Sequence, residues 1–597
     1  MHYRLFTVVL MAFLLGGCEY LNQLANESAE EFFAKAYEEQ LMTSPETLTA
    51  LGRRERYGEW DSYAERDMDM SYRMAQRQLE ELRGLSYDQL TPENRLNYDL
   101  FERMLERQIE RNRWRLHTYP VNQMFGVQAG IPALLINFHR IDSEEDALAY
   151  IERIRGVEKL LKQVNVLLQK QQKEGIFPPK FVYPLVIGTS ERVLSGKPLN
   201  KKDDFDNAVY ADFVKKVKAL NLDQAKTDKL IERASNALLL QFSAGYRQLI
   251  GVLRDLESKA TEDDGVWKLP DGEEYYNFQL RSYTTTDMTA DEIHQKGLED
   301  VKRVHAEMDE LRKQVNFRGD LQAFFKFMRS DKQFYYPETD AGRQAYLDDT
   351  QKIIDAMEAK LGEQFITIPT SKLKVKRVEK FREKAAGKAF YSRPAPDGSR
   401  PGIYYANLSV MADMPKYQME ALAYHEGVPG HHLQLAVAAE LEGVPEFRKL
   451  SNFTAYIEGW GLYSEYLPKE VGMYQDPYSD FGRLAMELWR SARLVVDTGL
   501  HSKKWTRQQA IDWLIENTPN PENDSAKSIE RYIVMPGQAT AYKIGMMKIL
   551  ELREGAREQL GENFDIRKFH EVVLQNGAVP LDILESLIDE WVANGGN

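Results

Sequence analysis

Residues 425–432 read HEGVPGHH, and this stretch holds three of the ten histidines in the chain. Neutral histidine is the commonest zinc ligand among side chains, and metal sites draw on local clusters of it. In helical zinc hydrolases, a histidine that binds the metal is followed directly by a glutamate that acts as general base on the metal-bound water. His425 and Glu426 have this order, so the stretch predicts a metal-binding helix.

The spacing to the next histidine is unusual. In the familiar motif the second histidine stands four residues after the first, but here that position is Pro429, with a glycine on either side of the Val428-Pro429 pair. Proline lacks an amide hydrogen and clashes with a continuing helix, so we predict a break between two helical segments. An unbroken helix would put His432 roughly 20° from His425 and His431 about a third of a turn away. Because the proline interrupts the helix, both histidines stay candidates.

Further motifs follow this stretch along the chain. Residues 425–434 read HEGVPGHHLQ, residues 458–460 read EGW, and three later stretches continue the pattern, at 489–501, 536–542 and 569–581. Together they resemble the bacterial family catalogued as domain of unknown function 885, over nearly all of the chain. More distantly, the chain is similar to helical zinc peptidases such as thimet oligopeptidase, the Taq-type carboxypeptidases and dipeptidyl-peptidase III. The resemblance implies a large, mainly α, zincin-like (gluzincin) fold.

The resemblance also implies the ligands of the metal. In those peptidases a glycine often precedes the second histidine ligand, and a later glutamate is the third ligand. His431 matches the second ligand, and Glu458, 27 residues further on, matches the third. We therefore assign one zinc ion to His425, His431 and Glu458, with Glu426 as general base. Three protein ligands leave a position open for water and substrate. His432 is then a neighbour of the ligands or faces the substrate, or it is the ligand in place of His431.

A hydrolase also needs a donor to the oxyanion that forms on the attacked carbonyl. In the thimet-like peptidases a tyrosine late in the chain has this role, and Tyr542 stands at a similar place. His501 is a second catalytic candidate. Both have an ordinary alternative, because the chain has 31 tyrosines and a lone histidine at a helix end is often structural.

Two groups of residues are candidates for substrate binding. The predicted strand that contains Tyr404, Tyr405 and Asn407 precedes the metal-binding helix, and an extended peptide can pair with an edge strand through its main chain. This role requires an edge position and would disappear for an inner strand. Arg490 and Arg493 could hold a substrate carboxylate by bidentate contacts, or they could form structural ion pairs.

The amino terminus has the pattern of an exported lipoprotein. Residues 5–15 are almost purely apolar and end in LGGC at 15–18, which resembles a lipobox with Cys18 as the lipidated residue. The apolar run is too short to cross a bilayer, which takes about 20 residues. With Glu19 and no aspartate after the cysteine, we expect lipid anchoring in the outer membrane, facing the periplasm, and no other contact with a membrane.

The amino-acid composition bears on binding partners, on the presence of a core and on cysteine chemistry. The net charge is −14 and is spread along the chain, whereas nucleic acid binding needs a basic face. We therefore expect no nucleic acid partner. A hydrophobic share of 43% is that of a globular protein with a core. Cys18 is the single cysteine, so neither an intramolecular disulfide nor a cysteine zinc site can form.

Helical patterns fill most of the remaining chain. Ser143 caps a long helix with an apolar face over 148–168, and capping boxes are predicted at Thr289 with Glu292 and at Thr506 with Gln509. One small antiparallel sheet is expected next to the metal-binding helix, from strands within 372–379, 389–392 and 402–409 with a turn at 394–398.

These patterns predict one catalytic domain behind an export signal. The predicted segments are a signal peptide at 1–17, a lipidated start and spacer at 18–28, and a helical domain at 29–597, divided into 29–365 and a sheet and metal-site part at 366–597. The predicted function is metal-dependent hydrolysis in the cell envelope, by a zinc peptidase acting on oligopeptides. The alternatives are an envelope lipoprotein that binds peptide or metal without catalysis, and an amide or ester hydrolase of other specificity.

Overall fold

The structure is a computed structural model that describes residues 2–378, 383, 387–394 and 401–597, with side chains from residue 20 onward. It confirms the mainly α fold with one small sheet. The chain forms two compact units, one of residues 1–262 with 445–447 and one of residues 263–444 with 448–597. This division falls between Glu262 and Asp263 and so differs from the predicted internal boundary at 365/366.

In its described part the first unit consists of helices and their connecting loops, with one isolated β-bridge between Lys197 and Asp206. The helix predicted from Ser143 forms as α6: the Ser143 side chain accepts a hydrogen bond from the Asp146 amide, and Ile151, Ile154 and Val157 are buried on its apolar face. The helices of this unit are α1 (His2–Leu41), α2 (Pro45–Ala50), α3 (Glu65–Arg83), α4 (Pro92–Arg113), α5 (Val127–Asn137), α6 (Glu144–Lys173), α7 (Val182–Val193), α8 (Ala208–Ala219), α9 (Gln224–Ala237) and α10 (Ser243–Glu257).

The predicted signal peptide and the lipidation site Cys18 lie outside the residues whose side chains the structure describes. Helix α1 runs through residues 18–28, the predicted spacer. Among the described residues, no helix combines the length and the apolar character that a membrane crossing needs.

The remaining helices include the two that were predicted to begin with a capping box. Both predicted capping boxes form: the hydroxyls of Thr289 and Thr506 accept a bond from the third helical amide, and the threonine amides donate to the side chains of Glu292 and Gln509. The helices are α11 (Gly272–Thr284), α12 (Ala290–Gln314), α13 (Leu321–Ser330), α14 (Asp340–Glu358), α15 (Leu361–Gln364), α16 (Met419–Glu426), α17 (His431–Glu440), α18 (Glu446–Leu450), α19 (Thr454–Glu470), α20 (Pro477–His501), α21 (Arg507–Asn517), α22 (Glu522–Val534), α23 (Ala541–Leu560), α24 (Ile566–Leu574) and α25 (Leu581–Ala593).

The sheet of the second unit has three strands, β1 (Leu373–Arg377), β2 (Ala389–Ser392) and β3 (Gly402–Ala406), in the order β1-β3-β2. The antiparallel prediction holds for β2 and β3 but is wrong for β1, which runs parallel to β3. The predicted turn at 394–398 lies almost wholly outside the described residues. Because β3 hydrogen-bonds to a strand on each side, it is an inner strand.

That position corrects one proposed role of β3. An inner strand has no free main-chain edge, so Tyr404 and Tyr405 cannot pair with a substrate through the main chain. Asn407, just after the strand, donates its side-chain amide to the carbonyls of Glu383 and Gly387. Its side chain therefore holds the local chain segment together.

Helix α20 lies at the centre of the second unit. Every residue from Ser479 to His501 is buried apart from Trp489, which is half-buried. A helix buried on all sides is usually apolar throughout, whereas this one carries ionisable side chains that burial makes costly unless they are paired. Some are paired, as in the 2.6 Å contact between Glu487 and Lys543. The others, treated below, belong to the candidate site.

Candidate metal centre

The predicted helix break lies where the proline stands. Helix α16 ends at Glu426 and α17 begins at His431, so residues 427–430 separate the two histidine-bearing helices. The carbonyl of Gly427 accepts a bond from the His432 amide at 3.1 Å. Gly430 has to be a glycine, because a Cβ there would lie 2.1 Å from the His425 carbonyl oxygen. The break is thus part of a tightly packed turn.

Helix α19 holds this turn in place. The Pro429 carbonyl accepts a hydrogen bond from the Trp460 indole at 2.9 Å and a longer one from the Ser464 hydroxyl at 3.3 Å. Trp460 is completely buried. Since Glu458 is on the same helix, these contacts fix the third candidate ligand relative to the two histidines.

His425, His431 and Glu458 meet in one group, with one potential ligand atom from each within 4.8 Å of the others. The Glu458 Oε2 atom lies 3.4 Å from His431 Nε2 and 3.6 Å from His425 Nε2. Ligand bonds of about 2.0–2.1 Å at a tetrahedral angle put neighbouring ligand atoms roughly 3.3 Å apart. Two nitrogens and one carboxylate oxygen at these separations fit a zinc ion and leave room for a fourth ligand.

Because Gly461 has no side chain, there is space beside it for the imidazoles of His425 and His431. It follows Glu458 by three residues and therefore lies near it on the same helix surface. A Cβ at this position would lie 2.8 Å from His425 Cε1 and 3.0 Å from His431 Cε1. Any larger residue would push against both rings, so the close approach of α19 to the site requires glycine.

A further carboxylate supports His425 from the side away from the ligand group. Glu465 Oε1 lies 2.8 Å from His425 Nδ1, while His425 Nε2 faces Glu458. Such carboxylate–histidine pairs orient the ring and make it a stronger ligand. Burial by itself lowers the pKa of His425, but Glu458 and Glu465 outweigh burial and raise this pKa to about 10. A bound cation would displace the proton that the site otherwise holds.

Glu426 has the environment expected of a general base. It is the last residue of α16 and is only 7% exposed. Burial raises the pKa of its carboxyl, while the neighbouring charges of His425, His431 and Arg490 lower it and Glu458 raises it. A carboxyl with a raised pKa can accept a proton near neutral pH more effectively than an exposed one.

His432 points to other partners. Its Nδ1 accepts a hydrogen bond from the Tyr391 hydroxyl at 2.9 Å, and its Nε2 donates to the Ser371 carbonyl at 3.0 Å. Burial lowers the pKa of this imidazole to about 4, so the ring is neutral. With both nitrogens engaged, His432 holds β2 and the residues just before β1 against α17. The structure brings His431, and not His432, to the ligand group.

Tyr542, the predicted oxyanion donor, stands in the first turn of α23. Its hydroxyl accepts a hydrogen bond from Arg531 at 3.3 Å, and no described residue accepts the proton of Tyr542. The Arg493 guanidinium lies 4.6 Å from the centre of the Tyr542 ring, and the Arg490 guanidinium lies 6.0 Å from it. Tyr542, Arg490 and Arg493 therefore form one cluster.

Arg490 connects this cluster to the candidate ligands. Its Nη2 lies 3.5 Å from Glu465 Oε1, the same oxygen that contacts His425. Arg490 also donates to the Met486 carbonyl at 3.3 Å. The predicted substrate-binding arginines are thus buried beside the ligand group rather than spread along an exposed helix face.

His501 and Tyr404 have other surroundings. His501 Nδ1 accepts a hydrogen bond from the Val266 amide, and its Nε2 donates to the Tyr532 carbonyl. It stands eleven residues after Arg490 on α20, which is roughly 16 Å along the helix axis. The structure therefore does not bring His501 to the ligand group. Tyr404 is fully buried and lies close enough to Glu426 for that charge to contribute to its raised pKa, although burial is the main cause.

Sequence reasoning missed several residues of this site. Glu465 follows Glu458 by seven residues, two helical turns, so the helical period alone puts both carboxylates on one face of α19. Gly461 lies between them on that face. Arg531 gave no comparable signal, because it lies on α22 and Tyr542 on α23, and these two helices both pack against α20.

The buried carboxyl of Asp497 should make the stability of the folded protein depend on pH. Its Oδ1 accepts bonds from the Tyr276 hydroxyl and the Gly537 amide, while Oδ2 is buried with no partner among the described residues. Burial raises the pKa of Asp497 from 3.8 to about 7. Because the pKa of Asp497 is higher in the folded state than in the unfolded state, its contribution to the free energy of unfolding is fully present below pH 4. This contribution is lost as the pH rises to 7. At about 1.4 kcal/mol per pKa unit, the loss is up to about 4 kcal/mol.

We therefore expect Asp497→Asn, which keeps an acceptor oxygen but cannot ionise, to gain stability relative to the native chain as pH rises. The free energy of unfolding in urea should be measured for both chains between pH 4 and pH 8. The difference in favour of the variant should grow up to about pH 7 and then level off. A difference that is constant over this range would contradict a protonated Asp497.

Comparisons with known proteins agree with the fold. Residues 45–588 match the model of a bacterial protein family of unknown function, DUF885. A candidate lipoprotein from Colwellia psychrerythraea has a TM-score of 0.89 and 29% identity, over 96% of this chain and 99% of that one. A candidate lipoprotein of unknown function from Shewanella oneidensis has a TM-score of 0.72 and 19% identity, over 93% and 98%.

A more remote match is to a candidate oligoendopeptidase F from Bacillus anthracis str. Ames, with a TM-score of 0.30 and 12% identity over 89% of this chain and 96% of that one. No protein with a curated description matches the chain.

Proposed function

This chain belongs to the bacterial protein family of unknown function DUF885, and we propose that it is a metal-dependent peptidase of the cell envelope with one zinc ion held by His425, His431 and Glu458. The observation that carries the proposal is the ligand group itself, in which the Glu458 oxygen lies 3.4 and 3.6 Å from the two histidine nitrogens. Two histidines and a glutamate are the protein ligands of one group of catalytic zinc sites.

A divalent ion in such a site acts as a Lewis acid on the substrate carbonyl and lowers the pKa of water. The residues of the chain supply the remaining steps. Glu426 takes the proton from the attacking water and passes it to the leaving amine. Tyr542, whose hydroxyl accepts a hydrogen bond from Arg531, donates a hydrogen bond to the oxyanion.

We propose further that the protein is lipid-anchored through Cys18 at the outer membrane, facing the periplasm. The LGGC motif supports this location. The two similar solved structures are of candidate lipoproteins and support it as well.

The test uses the full-length protein extracted in detergent. Its zinc content should be measured by mass spectrometry, and it should then be incubated with a mixed library of short peptides whose products are identified. We expect close to one zinc per chain, cleavage of some peptides, loss of cleavage with a chelator and recovery with zinc. Stoichiometric zinc without cleavage of any peptide would favour a binding lipoprotein or an amide or ester hydrolase of other specificity. Absence of bound metal would rule out all of these metal-based functions.

A further inference from the structure

A group of buried hydrogen-bond donors lies beside the metal centre. Several polar atoms are fully buried and have no hydrogen-bond partner among the described residues: Nε of Arg490, Nε and Nη1 of Arg493, Nε of Arg531, Nε1 of Trp489 and Oη of Tyr532. Arginine and tryptophan side chains donate hydrogen bonds and accept none. Apart from the Tyr532 hydroxyl, which can also accept, these atoms are donors only, and a group of unpaired buried donors is complementary to an anion.

Arg493 is the centre of this group. Its guanidinium carbon lies 4.6 Å from the Trp489 ring, 4.6 Å from the Tyr542 ring and 5.6 Å from the Tyr532 ring. No described residue puts a carboxylate within ion-pair distance of Arg493, although this side chain is 96% buried. Contact with aromatic faces offsets only part of the cost of burying a charge.

Arg490 and Arg531 do not bring a carboxylate to Arg493. Arg490 is 3.5 Å from Glu465, but Glu465 also contacts His425 at 2.8 Å and so serves the ligand group. Arg531 donates to uncharged oxygens, those of Gln538 at 2.8 Å and Tyr542 at 3.3 Å. Guanidinium groups stay protonated in proteins. Glu465 is thus shared between Arg490 and His425, and among the described residues neither Arg493 nor Arg531 has a carboxylate within ion-pair distance.

From this geometry we propose that Arg493 and Arg490, with Trp489 and Tyr532, form a subsite for a substrate carboxylate, and that it takes the free C-terminal carboxylate of a peptide. The inference rests on the proposed peptidase function. A planar guanidinium matches a carboxylate with two parallel hydrogen bonds, which an ammonium group cannot do. The enzyme would then release residues from the C-terminus rather than cleave in the middle of a chain.

The position of the subsite agrees with this use. Arg490 reaches the metal centre through a single carboxylate, that of Glu465, which contacts His425. Tyr542 has the Arg493 guanidinium over its ring and its hydroxyl bonded to Arg531. A carboxylate bound at Arg493 would thus lie next to the residue proposed to stabilise the oxyanion, so only a bond near the C-terminus could reach the site.

Three sets of hexapeptides with otherwise equal sequences distinguish the sources of a carboxylate. The first has free C-termini, the second has amidated C-termini and neutral side chains, and the third has amidated C-termini and Asp or Glu side chains. We expect cleavage near the C-terminus of the first set, and kcat/KM about 100-fold lower for both amidated sets, because a neutral amide leaves buried donors unpaired.

Every other result decides against the proposal. Equal cleavage of the free and amidated peptides would overturn the carboxylate subsite and leave the peptidase function intact. Cleavage of the third set but not the second would assign the subsite to acidic side chains and overturn the C-terminal assignment. Failure to cleave any peptide would count against the peptidase function itself, and the present inference would fall with it.

Variants of Arg493 provide a second test. In Arg493→Met the preference for free over amidated peptides should fall to a few-fold, mainly through a higher KM, and Arg493→Lys should recover only part of it because lysine lacks the planar fork. Arg483→Met is the matched control: Arg483 is buried on the same helix but is paired with Asp480 and Glu487. The control should lose stability and keep the full preference.

Binding can be measured without turnover. In zinc-loaded Glu426→Gln protein, a free hexapeptide should raise the melting temperature, and its amidated twin should not. This shift should disappear when Arg493→Met is added. A shift of the same size with both peptides would overturn the subsite even if Arg493→Met alone proved too unstable to study.

Discussion

Replacing Glu426 with Gln is expected to lower kcat about 10²–10⁴-fold, the usual contribution of a general base. Glutamine has nearly the same shape as glutamate and cannot accept the proton of the attacking water. Because Glu426 is not among the ligand atoms, zinc content should stay at one per chain. Both quantities should be measured on one preparation, kcat with a cleaved peptide and zinc by mass spectrometry.

Glu420→Gln is a matched control for this experiment. Glu420 is on the same helix, and its two carboxylate oxygens accept hydrogen bonds from the hydroxyls of Tyr424 and Ser479. In glutamine the amide oxygen can keep one of these bonds, and the amide nitrogen can donate to the other hydroxyl. We expect this variant to keep its activity. If Glu426→Gln retained native kcat, the assignment of the base would be wrong, whatever its zinc content.

The second large effect concerns the choice between adjacent histidines. His431→Ala should lower zinc affinity by well over the 10–100-fold that loss of a supporting residue typically causes, because it removes one of three ligands. His432→Ala should keep one zinc per chain. It should instead lower the free energy of unfolding by about 1–3 kcal/mol, since the Tyr391 hydroxyl and the Ser371 carbonyl lose their partner.

The two variants differ by one position and remove the same side chain, so each serves as the control of the other. Zinc should be titrated against a competing chelator for both, and unfolding should be followed in urea without added metal. Loss of zinc from His432→Ala with retention in His431→Ala would exchange the two roles.

The break at Pro429 could be predicted from the sequence, but the choice between His431 and His432 could not. A proline four residues after His425 excludes a continuous helix by local sterics alone. The direction in which the chain leaves that break depends on Trp460 and Ser464, which bind the Pro429 carbonyl from α19. No local pattern contains a contact made 31 residues away.

The pairing of the three strands in the sheet also could not be predicted from the sequence. Alternating and β-branched residues indicated strands in all three places, yet pairing order is a property of the folded chain. The parallel pairing of β1 with β3 makes β3 an inner strand and removes the main-chain role predicted for it. The spacing of Arg490 and Arg493 likewise could not tell a paired arginine from an unpaired one, because two of the three aromatic neighbours of Arg493 come from α22 and α23.

The three candidate ligands sit on α16, α17 and α19, and no two of them share a helix. An ion bound there would act as a cross-link between three segments, so its affinity would depend on their docking and not on any short peptide. Denaturant should then release the ion in the same cooperative step that separates these helices. Metal release measured with a colorimetric chelator would report directly on the folding of this part of the protein.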